Sequence, residues 1–361
     1  MRLPGSLLIE LTVAAVLLAG AGAGGAWALR EVRAFQAHRA VMARHDRDAA
    51  RSSRAASLHL RQELSGDSSP EVALESAGTF LGMSDELLLD RIRRQPVARL
   101  KLNHGGSSLS FRVDFADGSR AAWKPVQTNA QTVPRKEVAA YRLNRLLGLD
   151  AVPPAAPRAI AKEDLFGKLH PDTLPLLPRI RAETIIGPNG QVAGEASYWI
   201  PVIKDSDLDS PEGHQQITAW LTQGETIPFE RRGFMAQVAV LIVFDFLIAN
   251  PDRYSGGNMK TSEDGSRLFF MDNTMSFFLD PQGTEKNRAL LLRQQKFSRR
   301  LQQALPLVDA PTLGRMLHEP DGTEILTDAE IRAVVQRREF VERYVADLVK
   351  QYGAQRVFAF P

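Results

Sequence analysis

Residues 234–248 carry almost no polar side chain. Val238, Leu241, Val243, Phe244, Phe246 and Leu247 leave no face for water. A helix apolar all round has to stand inside a folded body, covered on every side. The rest of the chain must be arranged about it. Asp245 sits within this run, where a carboxylate is costly unless paired; it is expected to fix the loop that follows. That loop reads Asn250-Pro251-Asp252-Arg253, and Pro251 stops the helix. A second apolar run, Leu268 to Met271, ends in Asp272-Asn273. An Asp closing a buried strand is poorly explained by packing.

Two acidic loops, each after a buried element, suit phosphoryl transfer from ATP. One Asp orients the attacking hydroxyl and another holds the metal on the phosphates. Other residues fit the same chemistry. Lys124 ends a strand after a hairpin, where an ammonium can reach phosphates. Alone it would be an ordinary solvated lysine. Glu137, on the next helix, supplies the carboxylate that holds such a Lys. In His104-Gly105-Gly106-Ser107-Ser108 successive backbone N–H groups can cradle phosphate, although a plain hairpin turn has the same look and G-x-G-x-x-G is not matched. Asn258 lies between the two acidic loops.

Composition narrows the alternatives. The chain has 361 residues, enough for two lobes and an appendage, and 44% are hydrophobic. A net charge of +3 argues against nucleic acid as partner. There is no Cys, so disulfides, thiolate nucleophiles and Cys-based zinc sites are excluded. The His residues lack metal-ligand spacing, and no G-x-S-x-G elbow is present.

Leu7 to Leu29 is apolar apart from Glu10 and Thr12, long enough for a bilayer of roughly 30 Å. It reads as a membrane anchor or a signal segment; Gly5-to-Glu10 also has the look of a prepilin leader. The following Arg30, Arg33, Arg39, Arg44 and Arg47 favour retention of the chain on the cytoplasmic side, whereas export would place it opposite. Residues 1–29 are thus the anchor or signal, and 30–95 a helical stalk or linker, with Ser84 capping a short helix. Residues 96–203 are strand-rich: Leu109 to Phe115 alternates, Asp117-Gly118 turns, and Ala121 to Pro125 returns. Lys136 to Leu147 is an amphipathic helix, and Glu195 to Ile200 a mostly apolar strand. Residues 204–361 are mainly helical, over Arg232–Ala249, Arg288–Leu305 and Asp328–Gln351. The expected fold is α+β, with two kinase-like lobes behind an N-terminal transmembrane or signal helix.

In order along the chain these residues resemble the Golgi casein kinase and Four-jointed family of secretory-pathway atypical kinases. The likeness runs from about Leu100 to the C-terminus. Trp123-Lys124-Pro125 resembles the nucleotide-Lys strand and Glu137 to Leu147 the helix with its paired Glu. Val152-Pro153-Pro154 resembles the segment after it. Phe244 to Arg253 resembles the catalytic loop and Met271-Asp272-Asn273 the metal loop; Arg299-Arg300-Leu301 and Gln336-Arg337-Arg338 fit in order. Shorter parts resemble type II phosphoinositide kinases and HipA-type bacterial kinases, which share the N-x-D-R loop. The family's eukaryotic members are rich in disulfides, whereas this chain has none. Tyr254 stands where a His often follows, and the loop before Asn258 is one residue longer.

The resemblance implies an ATP-dependent kinase using Mg²⁺ or Mn²⁺ on a hydroxyl of a protein or glycan. By it, Lys124, held by Glu137, contacts the α- and β-phosphates. Asp252 orients the acceptor hydroxyl, and Asp272 with Asn258 holds metal. Gly105 and Gly106 cover the phosphates, and Tyr198 to Pro201, including Ile200, lies near adenine. A membrane-anchored pseudokinase scaffold and a lipid kinase are the alternatives.

Overall fold

The structure, a computed structural model, describes residues 78–361 apart from positions 207, 209, 255, 256 and 320. The Leu7–Leu29 segment and most of the expected stalk lie outside the described residues. No helix among the described residues is long and apolar enough to cross a membrane.

The described chain opens with a hairpin, β1 (Thr79–Phe80) and β2 (Met83–Ser84), followed by α1 (Asp85–Arg94). The Ser84 hydroxyl accepts the Leu87 N–H, and Asp85 and Glu86 lie at the positive end of the helix. These residues were expected to belong to a linker. They instead form part of the folded body, because α1 buries Leu88, Leu89 and Ile92.

The first lobe is built on one antiparallel sheet. Its strands are β3 (Val97–Leu102), β4 (Phe111–Phe115), β5 (Arg120–Pro125), β6 (Ala155–Pro157) and, after the small hairpin of β7 (Ile160–Ala161) and β8 (Gln191–Val192), β9 (Gly194–Tyr198). Their spatial order is β3-β4-β5-β9-β6. On β4, Phe111, Val113 and Phe115 are buried while Arg112 and Asp114 are half-buried, the two-residue alternation of a sheet with one covered face. Helix α2 (Arg135–Leu146) packs on β6 and β9; α3 (Lys162–Gly167) and α4 (Leu177–Glu183) fill the crossover.

A glycine fixes the register between β5 and β9. A Cβ on Gly194 would lie 2.4 Å from the Lys124 carbonyl and 2.8 Å from the Trp123 indole nitrogen. Only glycine allows so close an approach, and it sets Lys124 directly opposite Glu195.

The second lobe surrounds α6 (Arg232–Ile248), which is buried as its composition demands. Before it come β10 (Lys204–Asp205) and α5 (Pro211–Trp220). After it come β11 (Met259–Thr261) and β12 (Leu268–Phe270), which with β10 make a three-stranded sheet. Then follow α7 (Glu285–Arg293), α8 (Arg299–Ala304), α9 (Ala310–Met316), α10 (Asp328–Tyr352) and α11 (Ala354–Val357). Thr327 and Glu330 form a reciprocal capping box on α10. The single helix expected over Arg288–Leu305 is split in two. Gln294 turns extended at the end of α7, and its side-chain amide donates to the Ala239 and Lys296 carbonyls. That tie to α6 outweighs the local helical preference.

Candidate active site

Helix α6 ends at Ala249 in the left-handed conformation, φ 49°. Asn250 follows, fully buried. Its side-chain oxygen accepts the Asp252 N–H at 3.0 Å, and its amide donates to the Asp272 carbonyl at 3.3 Å. One side chain thus joins the two acidic loops. Arg253 makes the second tie. Its guanidinium pairs with Asp245 at 3.2 Å, donates to Asn273 Oδ1 at 2.5 Å, and donates to the Met271 carbonyl. Asp245 therefore fixes the following loop by holding Arg253. Burial raises the Asp245 carboxyl to about 6, against the opposing pull of Arg253. Asn258 donates from its amide to the Asp252 carboxylate at 3.0 Å and to the Asp252 carbonyl at 3.1 Å, which orients that acid.

Asp272 has φ 55°, a strained backbone for a residue with a side chain. The turn sends its carboxylate and the next N–H in different directions. Asp272 Oδ1 accepts from Lys124 Nζ at 2.5 Å and from the Thr274 hydroxyl at 3.1 Å. The Asn273 backbone N–H and side-chain amide both donate to Glu137, at 2.6 and 2.8 Å. Glu137 thus holds the loop after Asp272, while the hydrogen bond of Lys124 goes to Asp272. Glu137 acts on Lys124 through charge.

The electrostatics follow from this packing. Burial lowers the Lys124 ammonium, but Asp272 and then Glu137 outweigh it and the group stays raised. Burial raises Asp272, but Lys124 overrides it and the carboxyl stays below its ordinary value. Glu137 is raised, because burial exceeds the help from Lys124.

Helix α2 is fastened to the second lobe by its basic residues. Arg135 makes two hydrogen bonds to Glu330, at 2.8 and 2.9 Å. Lys136 donates to the Ser276 carbonyl at 2.5 Å, and Arg142 pairs with Glu319. Glu137 is thereby held against Asn273.

Strand alternation sorts the remaining expected residues. Lys124 faces Glu195 and Ala122 faces Ser197, so Glu195 and Ser197 share the face of Lys124. Tyr198 is on the other face, its ring edge-on to Phe80 at 5.9 Å, and Ile200 is buried with Phe80, Leu88 and Phe269. The side chains of Tyr198 and Ile200 therefore do not share the face of Lys124. Gly105 and Gly106 adopt φ of 90° and 93° between β3 and β4, with open space around them.

Glu195, Asn250 and Arg253 were given no role by sequence reasoning. A charged residue opening an apolar strand was a signal for Glu195. Its carboxyl is 1% exposed, feels Glu137, Lys124 and Asp272, and is raised well above its usual value by burial and then by Glu137.

No family profile matches the chain, and no characterised protein matches it by sequence. Solved structures do. The Golgi casein kinase, including its form with Mn/ADP bound, superposes with a TM-score of 0.59 at 16% identity, over 76% of this chain and 78% of the other. Hydra Fam20 solved with sugar gives a TM-score of 0.56 at 16% identity, over 80% of this chain and 96% of the other. The described body therefore has the Golgi casein kinase fold.

Proposed function

We propose that the protein is an ATP-dependent phosphotransferase acting on a hydroxyl of a protein or glycan. The observation that carries this reading is the meeting of Lys124 with Asp272, from opposite lobes, on the loop that Asn250 joins to Asp252. A structure of the same fold with Mn/ADP bound supports nucleotide and metal as ligands.

The residues fit a divalent cation. Hard cations take oxygen ligands and keep phosphate and water in their shell, and Asp272 offers a carboxylate on a strained turn beside further carboxylates. Asp272, with the carbonyl oxygen of the Asn258 side chain, would hold Mg²⁺ or Mn²⁺, which neutralises charge on the transferring phosphate. Lys124 binds phosphate oxygens as a point charge, and the N–H groups at Gly105 and Gly106 close over them. Asp252 accepts the proton of the acceptor hydroxyl as that oxygen bonds to the γ-phosphorus. The bond from phosphorus to the β-phosphate oxygen breaks and ADP leaves. Positioning and fixed charge provide the acceleration. The apolar stretch Leu7–Leu29 would tether this body to a membrane.

The test is transfer of label from γ-³²P-ATP, with Mg²⁺ or Mn²⁺, to proteins and glycans of a cell extract. Label should appear and should vanish in Asp252→Ala and Asp272→Ala. Nucleotide binding without any transfer would assign the protein a scaffold role instead.

A further inference from the structure

Lys124 and the carboxylates of Glu137, Glu195 and Asp272 lie within mutual electrostatic reach. Their hydrogen bonding is unequal. Glu137 uses both oxygens on Asn273, and Asp272 is bonded to Lys124 and Thr274. The side-chain Oε2 of Glu195 is buried without a partner among the described residues. A buried polar atom left unpaired is costly, more so when charged. Gly194 holds Glu195 opposite Lys124, so register forces this arrangement.

Among the described residues no three acidic or His side chains can hold a metal by themselves. A cation here has to share its shell with a ligand that brings its own oxygens, as a nucleotide diphosphate does. We propose that Glu195 is an additional acidic group of the metal–nucleotide site, the missing partner of its Oε2 being a divalent cation that arrives with the phosphates. Glu195 then raises the affinity for the cation, while its carboxyl adds nothing favourable for metal-free nucleotide. The site is selective for the loaded complex over the bare polyanion. This rests on the phosphotransferase reading.

The experiment uses the full-length protein and a fluorescent ADP analogue, titrated with and without Mn²⁺. The wild type should bind the analogue more tightly as Mn²⁺ rises. Glu195→Gln should need about tenfold more Mn²⁺ for the same binding, which corresponds to about 1.4 kcal/mol, while its metal-free affinity stays equal or improves. Glu195→Asp, which keeps the charge, should recover much of the Mn²⁺ response. A residue that merely supports the fold would weaken binding with and without metal, and that result overturns the proposal. An unchanged Mn²⁺ requirement in Glu195→Gln, with melting temperature preserved, overturns it too. If Glu195→Gln fails to fold, Glu195→Met, which also removes the charge at similar length, is titrated in its place, and an unchanged Mn²⁺ requirement there overturns the proposal. Failure of the wild type to bind nucleotide at any Mn²⁺ concentration counts instead against the phosphotransferase reading.

Discussion

Asp252 and Asp272 stand on loops tied to several other segments, whereas the Gly105-Gly106 turn of the first lobe is exposed, with free space where either glycine's side chain would stand. Below, Asn250, Arg253, Asn258 and Glu137 each reach from one segment to another. At the glycine turn, Arg179 donates to the Ser107 carbonyl, Asn129 makes a 3.5 Å contact with the Ser107 hydroxyl, and Asn103 bonds Ser110 across the base. Groups that must meet a transition state need fixed positions, because misplacement costs rate steeply. A flap that admits and releases nucleotide needs freedom. On the proposed reading, the contrast matches held acids with a turn free of packing restraint.

Substitutions can break that contrast at either end. Asp272→Asn should have the largest effect, a fall in label transfer of about 10³-fold or more, since a fixed charge at the reacting phosphate is lost. Arg253→Met should come next. It leaves Asp245 buried without its counter-charge, and removal of one partner of a buried pair costs about 3–5 kcal/mol; a shifted urea midpoint reads this directly. Glu137→Gln should cost about 1–3 kcal/mol, because the Asn273 amide then meets a second amide donor; transfer should fall more than nucleotide binding. Gly106→Ala places a side chain at φ 93°, a cost of about 1–3 kcal/mol locally, read as a raised KM for ATP with kcat little altered. A loss in Gly106→Ala as deep as in Asp272→Asn would erase the distinction between floor and flap.

The smallest effect is on pH dependence. Asp245 is raised from 3.8 to about 6 in the folded protein. A raised carboxyl favours the folded state in its protonated form. That contribution is complete below 3.8 and is lost as pH rises through about 6. Asp245→Asn should remove this slope from melting temperatures measured between pH 4 and 7, whatever it does to their absolute level.

What the sequence disclosed depended on the range of the interaction. Helix α6 and its terminating Pro251 are local, and residue order alone displays them. Lys124, Glu137, Asp252 and Asp272 stood out because each follows a recognisable element. The partner of Glu137 was not legible, since the turn at Asp272 decides which group faces it. Tyr198 and Ile200 were placed near adenine by their strand, but alternation from Lys124 sends both side chains to the rear face. Glu195 and Ser197 instead share the face of Lys124 through pairing across residues 121–125, which a linear reading cannot see.

Helix α2 crosses from one lobe to the other with Arg135, Lys136 and Arg142 anchored at Glu330, Ser276 and Glu319. Those rivets take away a degree of freedom. A swing of this helix, which would pull Glu137 off Asn273, has to undo three charged contacts at once. The proposed phosphotransferase site would thus have its two loops joined before any ligand arrives.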